Sequence, residues 1–162
     1  METWCVYGLK KTNCTKGYFH WRLCKRFSNT ASMKISRIKE TCIYVTDLQR
    51  TKEFYSHRLG LAVLSYVEGR HIFFRAGESV LLCFIAEKTL KEKELPRHGA
   101  QGSIHFAFEV EKQEYDATLL KIKSLHISIL HEQTWKTGLR SFYFYDPDGH
   151  LLEIIEEGLW EA

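Results

Sequence analysis

The stretch Tyr143-Phe144-Tyr145-Asp146-Pro147-Asp148-Gly149-His150-Leu151-Leu152-Glu153-Ile154-Ile155 reads as a strand, a tight turn and a second strand. Pro147 presets φ for a turn, Gly149 supplies a positive φ, and Asp146 and Asp148 offer local hydrogen bonds to the backbone. Aromatic residues on one side and β-branched and aliphatic residues on the other suit strands. Side chains alternate along a strand, so Glu153 shares a face with Leu151 and Ile155. A carboxylate stays on an apolar face when it is paired, hydrogen-bonded or bound to a metal. The rest of the chain bears on which of these applies.

Working outward, the pattern occurs twice. The first copy opens with a strand at Ile38–Val45. Asp47 is placed to cap a helix that buries Leu48, Thr51, Phe54, Tyr55 and Leu59, and Gly60 is placed to end it. Strands follow near 61–67, 70–75 and 79–85. A charged loop over 87–102 serves as a lid or a linker. The second copy runs through a strand over 102–110, a helix over 113–125 and strands near 127–131, 140–145 and 150–155. A shift of 70 lays Phe73-Phe74 on Tyr143-Phe144 and Leu81-Leu82 on Leu151-Leu152, without a gap. A shift of 65 lays Val45 on Val110 and Phe54-Tyr55 on Leu119-Leu120. The unit is β-α-β-β-β, and its duplication predicts an α+β fold of two tandem modules, 35–86 and 103–160, joined by the loop 87–102.

Charge divides the chain differently. Residues 1–34 carry seven Lys/Arg and one acid, leaving 16 basic and 19 acidic residues in the remainder. The first 34 residues read as a basic extension outside the core, with Met33 as a candidate start of the domain. The mildly acidic body offers no nucleic-acid groove, and no apolar run is long enough to span a membrane. Five cysteines at long spacings do not form a disulfide framework and point to a reducing, cytoplasmic compartment. Cys5, Cys14 and Cys24 with His20 lack the close spacing of a zinc site.

The repeat also tests Glu153. Under the 70 shift Cys83 stands at its position, and under the 65 shift Glu40 stands at that of His105. Glu40, Cys83, His105 and Glu153 therefore occupy the first and last strands of the two units, and all four residue types bind divalent metals. Alternation puts Glu40, Cys42 and Tyr44 on one face of their strand and His105, Ala107 and Glu109 on one face of theirs. Arg97 and His98 in the loop, with Trp135 and Arg140 before the last hairpin, are candidate substrate contacts.

Three pieces together resemble the vicinal oxygen chelate superfamily, which includes glyoxalase I, thiol transferases, bleomycin-resistance proteins and extradiol dioxygenases. They are Tyr44-Val45-Thr46-Asp47-Leu48 with Phe54-Tyr55 and Leu59-Gly60-Leu61, then His105–Val110, then Phe144–Glu153. The resemblance covers about 35–160 and implies a curved mixed sheet around a cavity, with the helices outside. It implies metal ligands at Glu40, His105 and Glu153 for one divalent metal: Mn, Fe, Ni or Zn. Glu40 stands where many members have His or Gln, and Cys83 where glyoxalase I has a second Glu. The implied activity is that of a metal-dependent lyase, isomerase or thiol transferase on a small-molecule substrate chelated through vicinal oxygens, with Glu153 or Glu40 as base. Extradiol dioxygenation and metal-free drug binding of the bleomycin-resistance kind are the alternatives. The same resemblance implies a homodimer.

Overall fold

The computed structural model describes residues 34–161. The basic extension expected at 1–34 lies outside the described residues except for Lys34. The first module contains β1 (Glu40–Tyr44), α1 (Leu48–Lys52), β2 (Val63–Val67), β3 (His71–Ala76) and β4 (Ser79–Phe84). A short helix α2 (Ala86–Thr89) follows. The second module contains β5 (His105–Val110), α3 (Tyr115–Ser124), β6 (His131–Thr134), β7 (Arg140–Tyr145) and β8 (Leu151–Glu156). Each module folds as its own four-stranded sheet, ordered β1-β4-β3-β2 and β5-β8-β7-β6. The pairs β1–β4 and β5–β8 are parallel and the rest antiparallel, so the α+β class and the β-α-β-β-β repeat are as the sequence predicts. No helix among the described residues is long and apolar enough to cross a membrane.

Local chemistry accounts for the elements. Asp47 Oδ1 accepts from the backbone N–H groups of Gln49 and Arg50 at 2.8 and 3.0 Å, capping α1. The helix runs on as a π-helical turn over Glu53–Arg58, where Leu59 N–H donates to Phe54 O at 3.0 Å. Gly60, at φ 85°, ends it. Leu48, Thr51, Phe54 and Tyr55 form the buried face. One strand differs from expectation. The apolar pair Ile127 and Ile129 places a strand near 127–131, but β6 begins at His131. Ile127 N–H instead donates to Ile122 O at 3.3 Å, so this segment packs under the end of α3 before pairing begins.

The helix-covered faces of the two sheets share one core. Ile43, Ile72, Phe74, Leu81 and Cys83 of the first module join Phe142, Phe144, Leu152 and Ile154 of the second. A cavity of about 830 Å³ remains between the modules, lined by Thr41, Leu81, Phe106, Phe108, Lys121 and Leu125 among others. The β7–β8 turn bolts the modules together. Tyr55 Oη donates to Asp146 Oδ2 at 2.8 Å, Thr46 N–H to Asp148 Oδ1 at 2.9 Å, and His150 Nε2 to Tyr44 O at 2.8 Å.

Arg140 is structural. Glu156 is fully buried and accepts from Arg140 Nε and Nη2 at 2.9 and 2.7 Å and from the Arg140 backbone N–H at 2.7 Å. Arg140 Nη1 reaches Asp116 on α3 at 2.7 Å, and its guanidinium lies 4.2 Å from the Tyr115 ring centroid. Arg140→Ala removes the counter-charge of a buried carboxylate. It is expected to lower stability by about 3 kcal/mol in urea titration, whereas Asp116→Ala, at an exposed partner, is expected to cost under about 1 kcal/mol.

Candidate metal centre

The parallel pairing of β5 with β8 sets His105 opposite Leu151 and Ala107 opposite Glu153. His105 and Glu153 therefore project from one face, the face away from the shared core. His105 Nε2 lies 3.4 Å from Glu153 Oε2, a long separation for a hydrogen bond. His105 Nδ1–H donates to Leu151 O at 3.1 Å, which leaves the Nε2 lone pair free. The His105 side chain is half exposed, while that of Glu153 is 7% exposed. Glu153 Oε1 is buried and has no hydrogen-bond partner. An imidazole nitrogen with its other N–H on a backbone carbonyl, beside a carboxylate oxygen lacking a donor, is a donor set that suits a divalent metal.

Tyr143 sits directly across β7–β8 from Glu153. Burial raises its phenol pKa, Ser141 opposes the shift, and the Glu153 carboxylate adds to it. Tyr143 therefore remains a proton-bearing donor beside Glu153. Alternation along one strand does not mark Tyr143, because it lies on β7 and meets Glu153 only through the β7–β8 pairing.

The other two repeat-related positions, Glu40 and Cys83, stand elsewhere. Glu40 opens β1 and is exposed. The other end of that strand, at Tyr44, is the end that meets His150 in the second module. Four residues of strand, about 13 Å, separate Glu40 from that junction. Among the described residues, no group of three His, Cys, Asp or Glu side chains is positioned to hold a metal. Cys83 packs instead, and its match to Glu153 under the 70 shift does not hold. It pairs with Ile43 on β1, is 0% exposed and belongs to the shared core. Burial pushes its thiol well above the ordinary range. The residue that faces the same way as Glu153 is Leu82: Phe73 pairs with Leu82 as Tyr143 pairs with Glu153.

The loop candidates make internal contacts. Tyr44 Oη and His98 Nδ1 are 2.8 Å apart, and Arg97 Nε donates to Glu92 O at 3.0 Å. Trp135 Nε1 donates to Ser141 Oγ at 3.1 Å.

A family model described as Glyoxalase/Bleomycin resistance protein/Dioxygenase superfamily matches residues 37–154. The chain belongs to this superfamily. Among its relatives, the metallothiol transferase FosB of Lysinibacillus sphaericus is 30% identical over 124 residues, covering 75% of this chain and 83% of that protein. The fosfomycin resistance protein FosX of Listeria monocytogenes is 30% identical over 127 residues, covering 74% of this chain and 89% of that one. The crystal structure of lactoylglutathione lyase from Agrobacterium tumefaciens superposes with a TM-score of 0.76 at 33% identity, over 80% of this chain and all of that one.

Within this superfamily fold, Cys83 has a packing role. Cys83→Ser places a hydroxyl in an apolar core and is expected to cost roughly 1–3 kcal/mol of stability. Metal content, measured by elemental analysis at a temperature where the variant is folded, is expected to stay at the wild-type value.

Proposed function

We propose that the chain is a metal-dependent enzyme of the glyoxalase superfamily acting on a small substrate that presents two neighbouring oxygens. The observation that carries this reading is the buried Glu153 carboxylate, with Oε1 lacking a partner, beside the free Nε2 of His105. His105 and Glu153 are two of the metal's ligands. A bound divalent ion supplies Lewis acidity toward oxygens on which negative charge develops.

The third ligand is Glu40, contributed by a second copy of the chain. Glu40 is exposed on β1, a strand at the edge of its sheet, and lies toward the end away from the junction with its own second module. Two copies related by a two-fold axis exchange such strands reciprocally, giving two equivalent sites. Glu153 or Glu40 acts as the base, and Tyr143 holds a proton beside them. The names of the relatives, a metallothiol transferase and a lactoylglutathione lyase, favour a thiol or thiol adduct as substrate over a diol cleaved by oxygen.

The wild-type protein, purified without chelator, is expected to hold about one equivalent of a transition metal per chain, as the three-ligand plan requires. His105→Ala and Glu153→Ala are expected to lose it. Mixing Glu40→Ala with Glu153→Ala chains, unfolding and refolding them together, rebuilds one intact site in each mixed dimer, or about a quarter of the wild-type metal. Metal restored by mixing supports a site shared between copies. No metal in the wild type, even after titration with Mn²⁺, Fe²⁺, Ni²⁺ and Zn²⁺, would move the reading to metal-free ligand binding.

A further inference from the structure

His150 is 2% exposed, and both of its nitrogens are spoken for. Ile104 N–H donates to His150 Nδ1 at 3.2 Å, so Nδ1 is an acceptor and carries no proton. Nε2 faces the Tyr44 carbonyl at 2.8 Å, so Nε2 carries the proton and donates. These two bonds run from the last residue of β1 to the residue just before His105. The adjacent Leu151 closes the other side: its N–H donates to Ile104 O at 2.9 Å, and its carbonyl accepts from His105 Nδ1. Ile104, the residue before His105, is thus pinned at its N–H by His150 and at its carbonyl by Leu151, and Leu151 O selects the His105 tautomer.

We infer that His150 is a positioning residue for His105. It fixes the start of β5 against the end of β1, and the Leu151 carbonyl next to it holds the His105 imidazole with Nε2 turned to Glu153. His150 itself touches no metal and no substrate. This inference rests on the metal reading of the site, but its effect on His105 exists without any metal.

The test uses the full chain in four forms: wild type, His150→Leu, His150→Asn and His150→Gln. Asn places an acceptor near the position of Nδ1, and Gln places a donor near that of Nε2. The first readout is the His105 tautomer in metal-free protein, by long-range ¹⁵N–¹H correlation with His105 assigned through a His105→Gln control. The second is affinity for Co²⁺ followed by its visible absorption. Wild type and His150→Asn are expected to show the Nδ1–H form of His105. His150→Leu and His150→Gln are expected to show a mixture of tautomers and about tenfold weaker Co²⁺ binding, as for a lost outer-shell contact. A folded His150→Leu chain with the wild-type tautomer and spectrum overturns the inference. If His150→Leu does not fold, equal behaviour of Asn and Gln overturns it, and rescue by Asn alone supports it. A wild type that takes up no Co²⁺ defeats the metal reading, while the tautomer readout still decides the role of His150.

Discussion

The turn between β7 and β8 is the constraint on which the rest of the molecule depends. Five residues, Asp146 to His150, separate the paired ends Tyr145 and Leu151. Asp146 Oδ1 accepts from the N–H groups of Asp148 and His150 at 2.9 and 2.8 Å, and Gly149 takes a φ of 82° that side chains resist. With its backbone closed in this way, the turn presents three side chains outward to the first module. Asp146 receives Tyr55, Asp148 receives Thr46 and Arg50, and His150 reaches Tyr44. Hydrogen bonds to this loop, with one from Arg58 to Leu125 O, join the modules over the apolar contacts of the shared core. That loop leads directly into the strand bearing Glu153.

Two carboxylates on β8 show what is unusual about the site. Glu153 and Glu156 are both buried, but they lie three residues apart and so on opposite faces of the strand. Glu156 has Arg140 on both of its oxygens. Glu153 has an imidazole at 3.4 Å on one oxygen and no hydrogen-bond partner on the other. An unsatisfied buried acceptor costs about 1–3 kcal/mol, and more when it is charged. The protein retains that cost on one face of a strand whose other face shows how it is avoided. A cation at Glu153, as proposed, would remove it, and the free Nε2 of His105 would share that cation.

Much of this was legible in the residues themselves. The duplicated unit, the capping Asp47, the terminating Gly60 and the shared face of His105 and Glu153 all follow from short-range rules of period and turn chemistry. The false match of Cys83 to Glu153 has a compact cause. The β3–β4 turn uses Gly77 and Glu78 between paired Ala76 and Ser79, whereas the β7–β8 turn uses five residues. The repeat offset is 70 before the turn and 71 after it: Phe73 corresponds to Tyr143, but Leu82 corresponds to Glu153. A slip of one residue exchanges the two faces of a strand, and so the 70 shift lays a core thiol on Glu153. Arg140 looked free because its partner Glu156 is sixteen residues away and becomes its neighbour only through β7–β8 pairing. Which end of β1 meets the second module depends on long-range packing that no local pattern encodes.

The replacement of an imidazole by Glu40 changes the electrostatics of the proposed centre. Two imidazoles and one carboxylate would leave a divalent ion with one net positive charge. Glu40, His105 and Glu153 leave it neutral. A neutral centre draws an anionic oxygen less strongly, and it lowers the pKa of a bound hydroxyl less. Oxygen-rich, harder ligation also shifts preference from zinc toward manganese or iron. Tyr143 then matters more than it would beside a cationic centre. Its phenol, held protonated by burial and by Glu153, would supply the proposed centre with a hydrogen bond to developing negative charge. In the proposed centre, a carboxylate from β1 would thus be offset by a proton donor on β7, directly across the sheet from Glu153.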